Sequence, residues 1–127
     1  MSRAMVIDDS KAIRLILTRT LCELGYEVSQ AANGAEALRS LERGPAALEG
    51  YTLILVDWNM PEMNGLEFVK RIRANEKYSD VKLMMVTTET QPEQMIAALE
   101  AGANEYVMKP FTREIIEDKL RLLGALQ

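Results

Sequence analysis

Five polar side chains follow directly on short apolar runs of the sequence, and they are Asp8, Asp9, Asp57, Thr87 and Lys109. Carboxylates gathered in one place repel one another, and a divalent cation relieves that repulsion. An all-oxygen ligand set with room for water suits Mg²⁺ or Mn²⁺ better than zinc or copper. A carboxylate beside such a metal, a hydroxyl and an ammonium is equipped to attack a phosphoryl group. These residue types therefore favour metal-dependent acyl-phosphate chemistry.

This chemistry requires that the apolar runs be neighbouring strands of one sheet. Five runs have strand character, and they are Ala4–Ile7, Tyr26–Ser29, Tyr51–Val56, Val81–Val86 and Glu105–Met108. Segments of helical period follow them, with predicted starts at Ser10, Asn33, Asn64, Thr90 and Thr112. Strict alternation of strand and helix predicts a parallel sheet with helices on both faces. The best prediction at this length is an α/β, flavodoxin-like, doubly wound (βα)5 fold with strand order 2-1-3-4-5.

In that order the first, third, fourth and fifth strands are adjacent, so their carboxyl ends meet at one edge of the sheet. Each polar residue also has an ordinary interpretation. The acidic pair Asp8–Asp9 can cap a helix, Asp57 can be a turn residue, Thr87 can be an ordinary strand residue, and Lys109 can be exposed. All of these must hold together at consecutive strand ends, which is less probable than one shared pocket.

The composition bounds the class of protein. The chain has 127 residues, is 48% hydrophobic and carries a net charge of −4, which predicts one domain and argues against binding to nucleic acid or anionic membranes. No apolar run approaches the roughly 18 residues of a membrane helix. Cys22 is the only cysteine and there is no histidine, so zinc sites and histidine-dependent catalysis on this chain are disfavoured. We expect a soluble, cytoplasmic protein.

The same residues resemble the signature of response regulator receiver domains. The pair Asp8–Asp9, the run from Val56 to Gly65, the strand end Met85–Thr87 and the segment Lys109–Phe111 match that family in order and spacing. The resemblance covers essentially the whole chain and is greatest to single-domain chemotaxis regulators. It implies one receiver domain over residues 1–127 with no output domain.

The resemblance implies roles for the residues of the shared pocket. Asp57 would be the phosphorylation site. Asp9 and Asp57 would bind Mg²⁺ directly together with the backbone carbonyl of Asn59, whereas Asp8 would bind it through water. Lys109 would contact the phosphoryl group and would pair with Asp57 when that group is absent.

The resemblance also implies a conformational switch. Thr87 would move toward the phosphoryl group and Tyr106 would turn inward, which changes the face formed by the fourth helix, fifth strand and fifth helix. On spacing alone, Tyr106 is typical of a half-exposed strand aromatic. The Lys109–Pro110 bond would be cis, and Asn59 and Glu89 would set the lifetime of the phosphoryl group.

The resemblance further implies partners. In the family the phosphoryl donor is a phosphohistidine on a sensor histidine kinase, and because this chain lacks histidine that group would lie on a partner. The output would be a protein target, with chemotaxis or a flagellar motor favoured. The chain would catalyse only its own phosphorylation and dephosphorylation, so it would be a signalling switch rather than an enzyme. It would be a monomer when unphosphorylated.

Two other functions remain open from the sequence. A small Mg²⁺-dependent phosphatase with an aspartyl-phosphate intermediate would use the same residue types, although Asn59 cannot serve as its general acid. A phosphorelay carrier would pass the group from Asp57 to another histidine. A flavin-binding protein is disfavoured, because the first strand ends in acids where a phosphate needs backbone N–H donors.

Overall fold

The alternation of strands and helices is confirmed by a computed structural model that describes residues 3–42, 51–88 and 91–126. The strands are β1 (Arg3–Ile7), β2 (Glu27–Ala31), β3 (Tyr51–Val56), β4 (Lys82–Thr87) and β5 (Glu105–Met108). The helices are α1 (Lys11–Glu23), α2 (Gly34–Glu42), α3 (Gly65–Arg73), α4 (Pro92–Ala101) and α5 (Arg113–Leu122), with a short 3-10 turn at Glu76–Tyr78. The sequence also predicts a connecting loop at Gly44–Gly50, and this loop and the predicted helix start at Thr90 lie outside the described residues.

The five strands form one parallel sheet in the order β2-β1-β3-β4-β5, as predicted. The central strands β1, β3 and β4 are buried along almost their whole length. This burial explains their continuous apolar character, because a parallel strand covered on both faces has no solvent side. The edge strand β2 alternates less clearly and is partly exposed.

Successive side chains of each strand point to opposite faces of the sheet and build two separate cores. On one face, Ile7, Val56 and Met85 pack with buried residues of α2, α3 and α4. On the other, Val6 and Leu55 pack with buried residues of α1 and α5. Within the part of the chain that the structure describes, no helix has both the length and the apolar character that a membrane span requires.

Four predicted helix starts are confirmed by side-chain caps. An oxygen of each cap accepts a hydrogen bond from the backbone N–H three residues later, and the caps are Ser10, Asn33, Asn64 and Thr112. Such caps satisfy amides that the helix itself leaves unpaired. Helix α4 begins differently, with Pro92 in its first turn after Gln91, whose side chain does not cap it.

The bounds of three strands differ from the sequence prediction, and β1 and β2 begin at Arg3 and Glu27 rather than at Ala4 and Tyr26. Strand β2 continues to Ala31 rather than ending at Ser29, because it pairs with β1 up to Ile7 and the N–H of Asp8 donates to the carbonyl of Ala31. Strand β4 begins at Lys82 and includes Thr87, one residue later than predicted. In β2 and β4, pairing with a neighbour fixes an end that the local residue pattern leaves open.

Arg73, at the end of α3, holds together the end of the sheet opposite the predicted pocket. Its guanidinium donates to the carbonyls of Gly102, Tyr78, Ser79 and Val81, at 3.0, 2.8, 3.3 and 2.7 Å respectively. It also donates at 2.9 Å to the side-chain oxygen of Asn104, which accepts from the backbone of β4 as well. One side chain thereby joins α3, the 3-10 turn and the ends of the segments that lead into β4 and β5.

Replacing Arg73 with lysine is expected to lower the free energy of unfolding by about 2 kcal/mol. The ammonium of lysine cannot make all the hydrogen bonds that the forked guanidinium donates, so some backbone carbonyls lose their partner. Urea denaturation followed by circular dichroism measures the change. Arg71→Lys, at an exposed position of the same helix, is the control and should change stability by less than about 0.5 kcal/mol. Equal stabilities for the two variants would contradict a structural role for the fork.

Candidate functional site

Strand register explains why the sequence-distant polar residues meet. Ile7 pairs with Val56 in the β1–β3 ladder, so the next residues, Asp8 and Asp57, emerge side by side. Thr87 pairs with Met108 in the β4–β5 ladder, which places Lys109 directly beyond it. The N–H of Lys109 donates to the carbonyl of Thr87 at 2.9 Å.

The Lys109 ammonium lies between two carboxylates. Its Nζ is 2.7 Å from Oδ2 of Asp8 and 3.3 Å from Oδ2 of Asp57. The resemblance implies pairing with Asp57; in the structure the shorter contact is with Asp8. Both acids are almost fully buried, with 1% of Asp8 and 5% of Asp57 exposed. A buried carboxylate is costly unless it is paired, so Lys109 stabilises an arrangement that would otherwise repel itself.

The charged form of Lys109 is maintained by its partners. Burial by itself lowers the pKa of the ammonium, but the hydrogen bond with Asp8 and the negative charges of both acids raise it, and the net pKa lies above the ordinary lysine value. The site therefore has a permanent positive charge next to Asp57 at neutral pH.

Asp8 is held in place from three sides. Its Oδ1 accepts from the N–H of Ser10 at 2.9 Å, and its Oδ2 accepts from Lys109. Its backbone carbonyl accepts from Nη1 of Arg14 at 2.7 Å, and Nε of Arg14 also donates to Gln30 on β2. Both carboxylate oxygens of Asp8 are thus engaged, which fits the expected water-mediated contact with a metal better than direct ligation.

Asp8, Asp9 and Asp57 form a candidate metal centre. Each offers one carboxylate oxygen, and these oxygens lie within 4.8 Å of one another. Oxygens on opposite sides of an octahedral Mg²⁺ are about 4.2 Å apart, so a small inward movement would bring the carboxylates into range of a shared ion. Asp9 is exposed, which leaves one side of the cluster open to water. The donor set fits a hard divalent cation.

The other expected site residues differ in how deeply they are buried and in how close they lie to Asp57. Asn59 is exposed, and its N–H lies 3.4 Å from Oδ1 of Asp57. Thr87 is fully buried at the end of β4. Tyr106 is only 7% exposed and belongs to the core with Met85, so the half-exposed position inferred from spacing alone is wrong. The Lys109–Pro110 bond is cis, as expected, and Glu89 lies outside the described residues.

Sequence reasoning assigned no role to two residues that shape this site. A Cβ at Gly65 would lie 2.4 Å from the carbonyl oxygen of Asp57, so only glycine allows α3 to start this close to the acid. Glycine is unfavourable in a helix, and its place directly after the Asn64 cap is the signal that could have revealed this contact. Arg14 has no such signal, because a basic residue on a helix is usually solvated.

The family model for the response regulator receiver domain matches residues 4–121. This chain belongs to that family. As a receiver domain it is 44% identical over 119 residues to the Chemotaxis protein CheY homolog of Campylobacter jejuni, covering 93% of this chain and 88% of that protein. It is also 41% identical over 122 residues to Chemotaxis protein CheY1 of Helicobacter pylori, covering 95% of both.

Solved receiver structures agree with the fold. The chemotaxis protein CheY4 of Vibrio cholerae matches with a TM-score of 0.86 and 36% identity, over 97% of this chain and 98% of that chain. The response regulator protein TrrA of Thermotoga maritima, in complex with Mg²⁺ and BeF, matches with a TM-score of 0.80 and 35% identity, over 97% and 99%. The chain is therefore the receiver domain of a CheY-like chemotaxis response regulator.

Removing the ammonium of the receiver site tests its structural role. Lys109→Met is expected to lower the free energy of unfolding in metal-free buffer by about 3 kcal/mol, because two buried carboxylates lose their common cation. Chemical denaturation measures this, with the exposed Lys70→Met as control. Adding Asp57→Asn to Lys109→Met should restore part of the loss, since one of the two negative charges is then absent. A double variant no more stable than Lys109→Met would contradict charge repulsion as the cause.

Divalent cations should stabilise the receiver domain. At Mg²⁺ concentrations about 100-fold above the dissociation constant, the gain in unfolding free energy should be about 2.7 kcal/mol. Thermal melting with Mg²⁺ and with EDTA measures it. The gain should be lost in Asp9→Asn and kept in Asp80→Asn, which removes an exposed acid just before β4. A full Mg²⁺ effect in Asp9→Asn would show that the ion binds elsewhere.

Proposed function

We propose that this chain is a Mg²⁺-dependent phosphoryl acceptor whose modified residue is Asp57. CheY-like receiver domains are signalling switches rather than conventional enzymes, and the proposal follows that class. The observation that carries it is the Lys109 ammonium, which contacts Asp57 at 3.3 Å inside a cluster of three carboxylates. A cation held against the acid is placed to neutralise a phosphoryl group bonded to that acid.

The phosphoryl donor in this proposal is a phosphohistidine on a sensor histidine kinase of the CheA-like type. A carboxylate oxygen of Asp57 attacks phosphorus, the phosphorus–nitrogen bond breaks, and the leaving imidazole takes a proton from solvent. Asp9, Asp57 and the Asn59 backbone carbonyl would hold Mg²⁺, with Asp8 bound through water, and the ion would supply positive charge that lowers the barrier to transfer. Lys109 contacts the transferred group, and the hydroxyl of Thr87 donates a hydrogen bond to it.

The proposed output is a population shift between two arrangements of the same fold. The phosphoryl group takes over the attraction that links Lys109 to Asp57, and Thr87 moves toward it. Lys109 and Tyr106 belong to the same short segment around β5, and Thr87 pairs with this segment through Met108. A change at Asp57 is therefore passed to the face formed by α4, β5 and α5, where a downstream protein binds.

We further propose what limits the lifetime of the phosphoryl group and where the protein acts. Hydrolysis of the phosphoryl group resets the switch, with Asn59 and Glu89 setting its rate. The chain acts in the cytoplasm as a single receiver domain, monomeric before phosphorylation, with no role for nucleic acid or membranes. Its output is of the chemotaxis or flagellar-motor type, in line with the names of the relatives from Campylobacter jejuni and Helicobacter pylori.

A small phosphoryl donor with Mg²⁺ tests the chemistry without the kinase. We expect intact-protein mass spectrometry to show one phosphoryl group on the wild type and none on Asp57→Asn, because that amide is a poor nucleophile. Asp118→Asn, a change at an exposed acid of α5, should behave as wild type. Trp58, 7% exposed directly after Asp57, should show Mg²⁺-dependent quenching with beryllofluoride.

Two results would contradict this proposal. One is modification of Asp57→Asn to the same extent as the wild type, which would place the acceptor elsewhere. The other is rapid, repeated hydrolysis of small phosphate esters, which would indicate a phosphatase with an aspartyl-phosphate intermediate instead of a switch.

A further inference from the structure

Exposed apolar side chains are concentrated around β5. Of the seven large hydrophobic residues that are exposed among those the structure describes, five lie on α4, β5 and α5, and they are Ile96, Leu99, Met108, Ile115 and Leu122. The exposed fractions range from 41% at Ile115 to 75% at Leu122. Both helices contact β5. We call these three elements the β5 face, and clusters of this kind mark interaction surfaces.

An ion pair orients the exposed apolar side chains of α5, Ile115 and Leu122. Nζ of Lys119 is 3.1 Å from Oε1 of Glu105, the first residue of β5, so this side of α5 is turned toward the strand. Ile115 precedes Lys119 by one helical turn and Leu122 follows it by nearly one, so the three side chains share a side of the helix. The apolar stripe of α5 therefore borders β5.

The basic groups of the β5 face are already paired. Over residues 91–126, the cations are Lys109, Arg113, Lys119 and Arg121. Lys109 is bound in the Asp57 site, Lys119 pairs with Glu105, and Arg113 and Arg121 both pair with Glu117. Arg113 also pairs with Glu23 of α1, and Arg121 with Asp118.

Three carboxylates of the same region have no such partner. Over residues 91–126 the acids without an ion pair are Glu93 and Glu100 on α4 and Glu114 on α5, all of them exposed. Unpaired charges of one sign dominate the potential that a partner meets as it approaches. The β5 face therefore presents apolar side chains within a negative field.

A second copy of the chain is a poor occupant of this surface. A symmetric dimer brings the same patch together from both protomers, so Glu93, Glu100 and Glu114 would meet like charges. An added strand is also disfavoured, because β5 has only four residues, begins with the charged Glu105 and is followed by Pro110 after Lys109, features that blunt a sheet edge. A partner helix with apolar and basic positions contacts the exposed apolar side chains and also pairs with the carboxylates that lack an ion pair.

We infer that the β5 face selects a partner segment that is a basic amphipathic helix, with Lys or Arg flanking its apolar positions. The inference rests on the proposed function for the location of the output surface and adds the chemistry of what binds there. The carboxylates of Glu93, Glu100 and Glu114 attract the basic positions, and Leu99, Met108 and Leu122 contact the apolar ones.

Two synthetic helical peptides test this inference on the full chain. They share leucines at helical spacing and differ only in carrying Lys or Glu at the flanking positions. Fluorescence anisotropy at low and high salt, with and without Mg²⁺ and beryllofluoride, gives their affinities. We expect the basic peptide to bind about tenfold more tightly at low salt, and the preference to shrink at high salt.

Matched variants locate the preference. The preference for the basic peptide should be lost in a triple variant that combines Glu93→Gln, Glu100→Gln and Glu114→Gln. Glu27→Gln, Glu67→Gln and Glu76→Gln combined make the same change in net charge at exposed positions elsewhere and should keep it. Leu122→Ser should weaken binding of the basic peptide, whereas Leu15→Ser, at an exposed position of α1, should not.

The inference is overturned if the acidic peptide binds as well or better, if neither peptide binds, or if the preference survives the first triple variant. Self-association of the chain that blocks the basic peptide in sedimentation experiments would also overturn it. The Trp58 response to beryllofluoride is measured in the same samples. A normal Trp58 response without a peptide preference rejects this inference alone, whereas a missing response rejects the proposed phosphorylation of Asp57.

Discussion

The ion pair of Lys109 with Asp8 and Asp57 is the interaction on which this site depends. It joins residues that directly follow three strands, and it offsets the repulsion between two acids that are almost fully buried. Removing two carboxylates from water is costly, and only a close cation and well-placed hydrogen bonds make the arrangement tolerable. The parallel register, the hydrogen bond from the Ser10 N–H to Asp8 and the glycine at position 65 all serve to bring these groups together.

In the proposed switch, the same contacts link the site to the face formed by α4, β5 and α5. Lys109 directly follows β5, and Tyr106 lies within that strand with its ring in the core of the α2, α3 and α4 face. Because a packed core does not deform continuously, a phosphoryl group that changes what Lys109 contacts would favour one discrete packing over another. Arg73 anchors the opposite end of this region through hydrogen bonds to Gly102 and Asn104.

Much of this was predictable from the sequence, and the exceptions have physical causes. Strands β3 and β5 have the predicted bounds, since one is a continuous apolar run and the other ends at Lys109. The edge strand β2 was misjudged because its partner, not its own residues, sets its end. The burial of Tyr106 and the fork of Arg73 were missed, because both depend on which distant elements pack around them, and no local period encodes that.

The site and the β5 face are constrained by different physics. At the site, each group must lie within a few ångströms of one carboxylate, so the residue types at Asp8, Asp57 and Lys109 have little freedom. On the β5 face, a side chain such as Glu100 needs only to be exposed, and its charge can change without cost to the fold. Phosphorylation chemistry can therefore be inferred from family membership, whereas the partner must be inferred from the charges of this particular chain. Those charges, with every cation of residues 91–126 already paired and three carboxylates left over, indicate a basic partner segment.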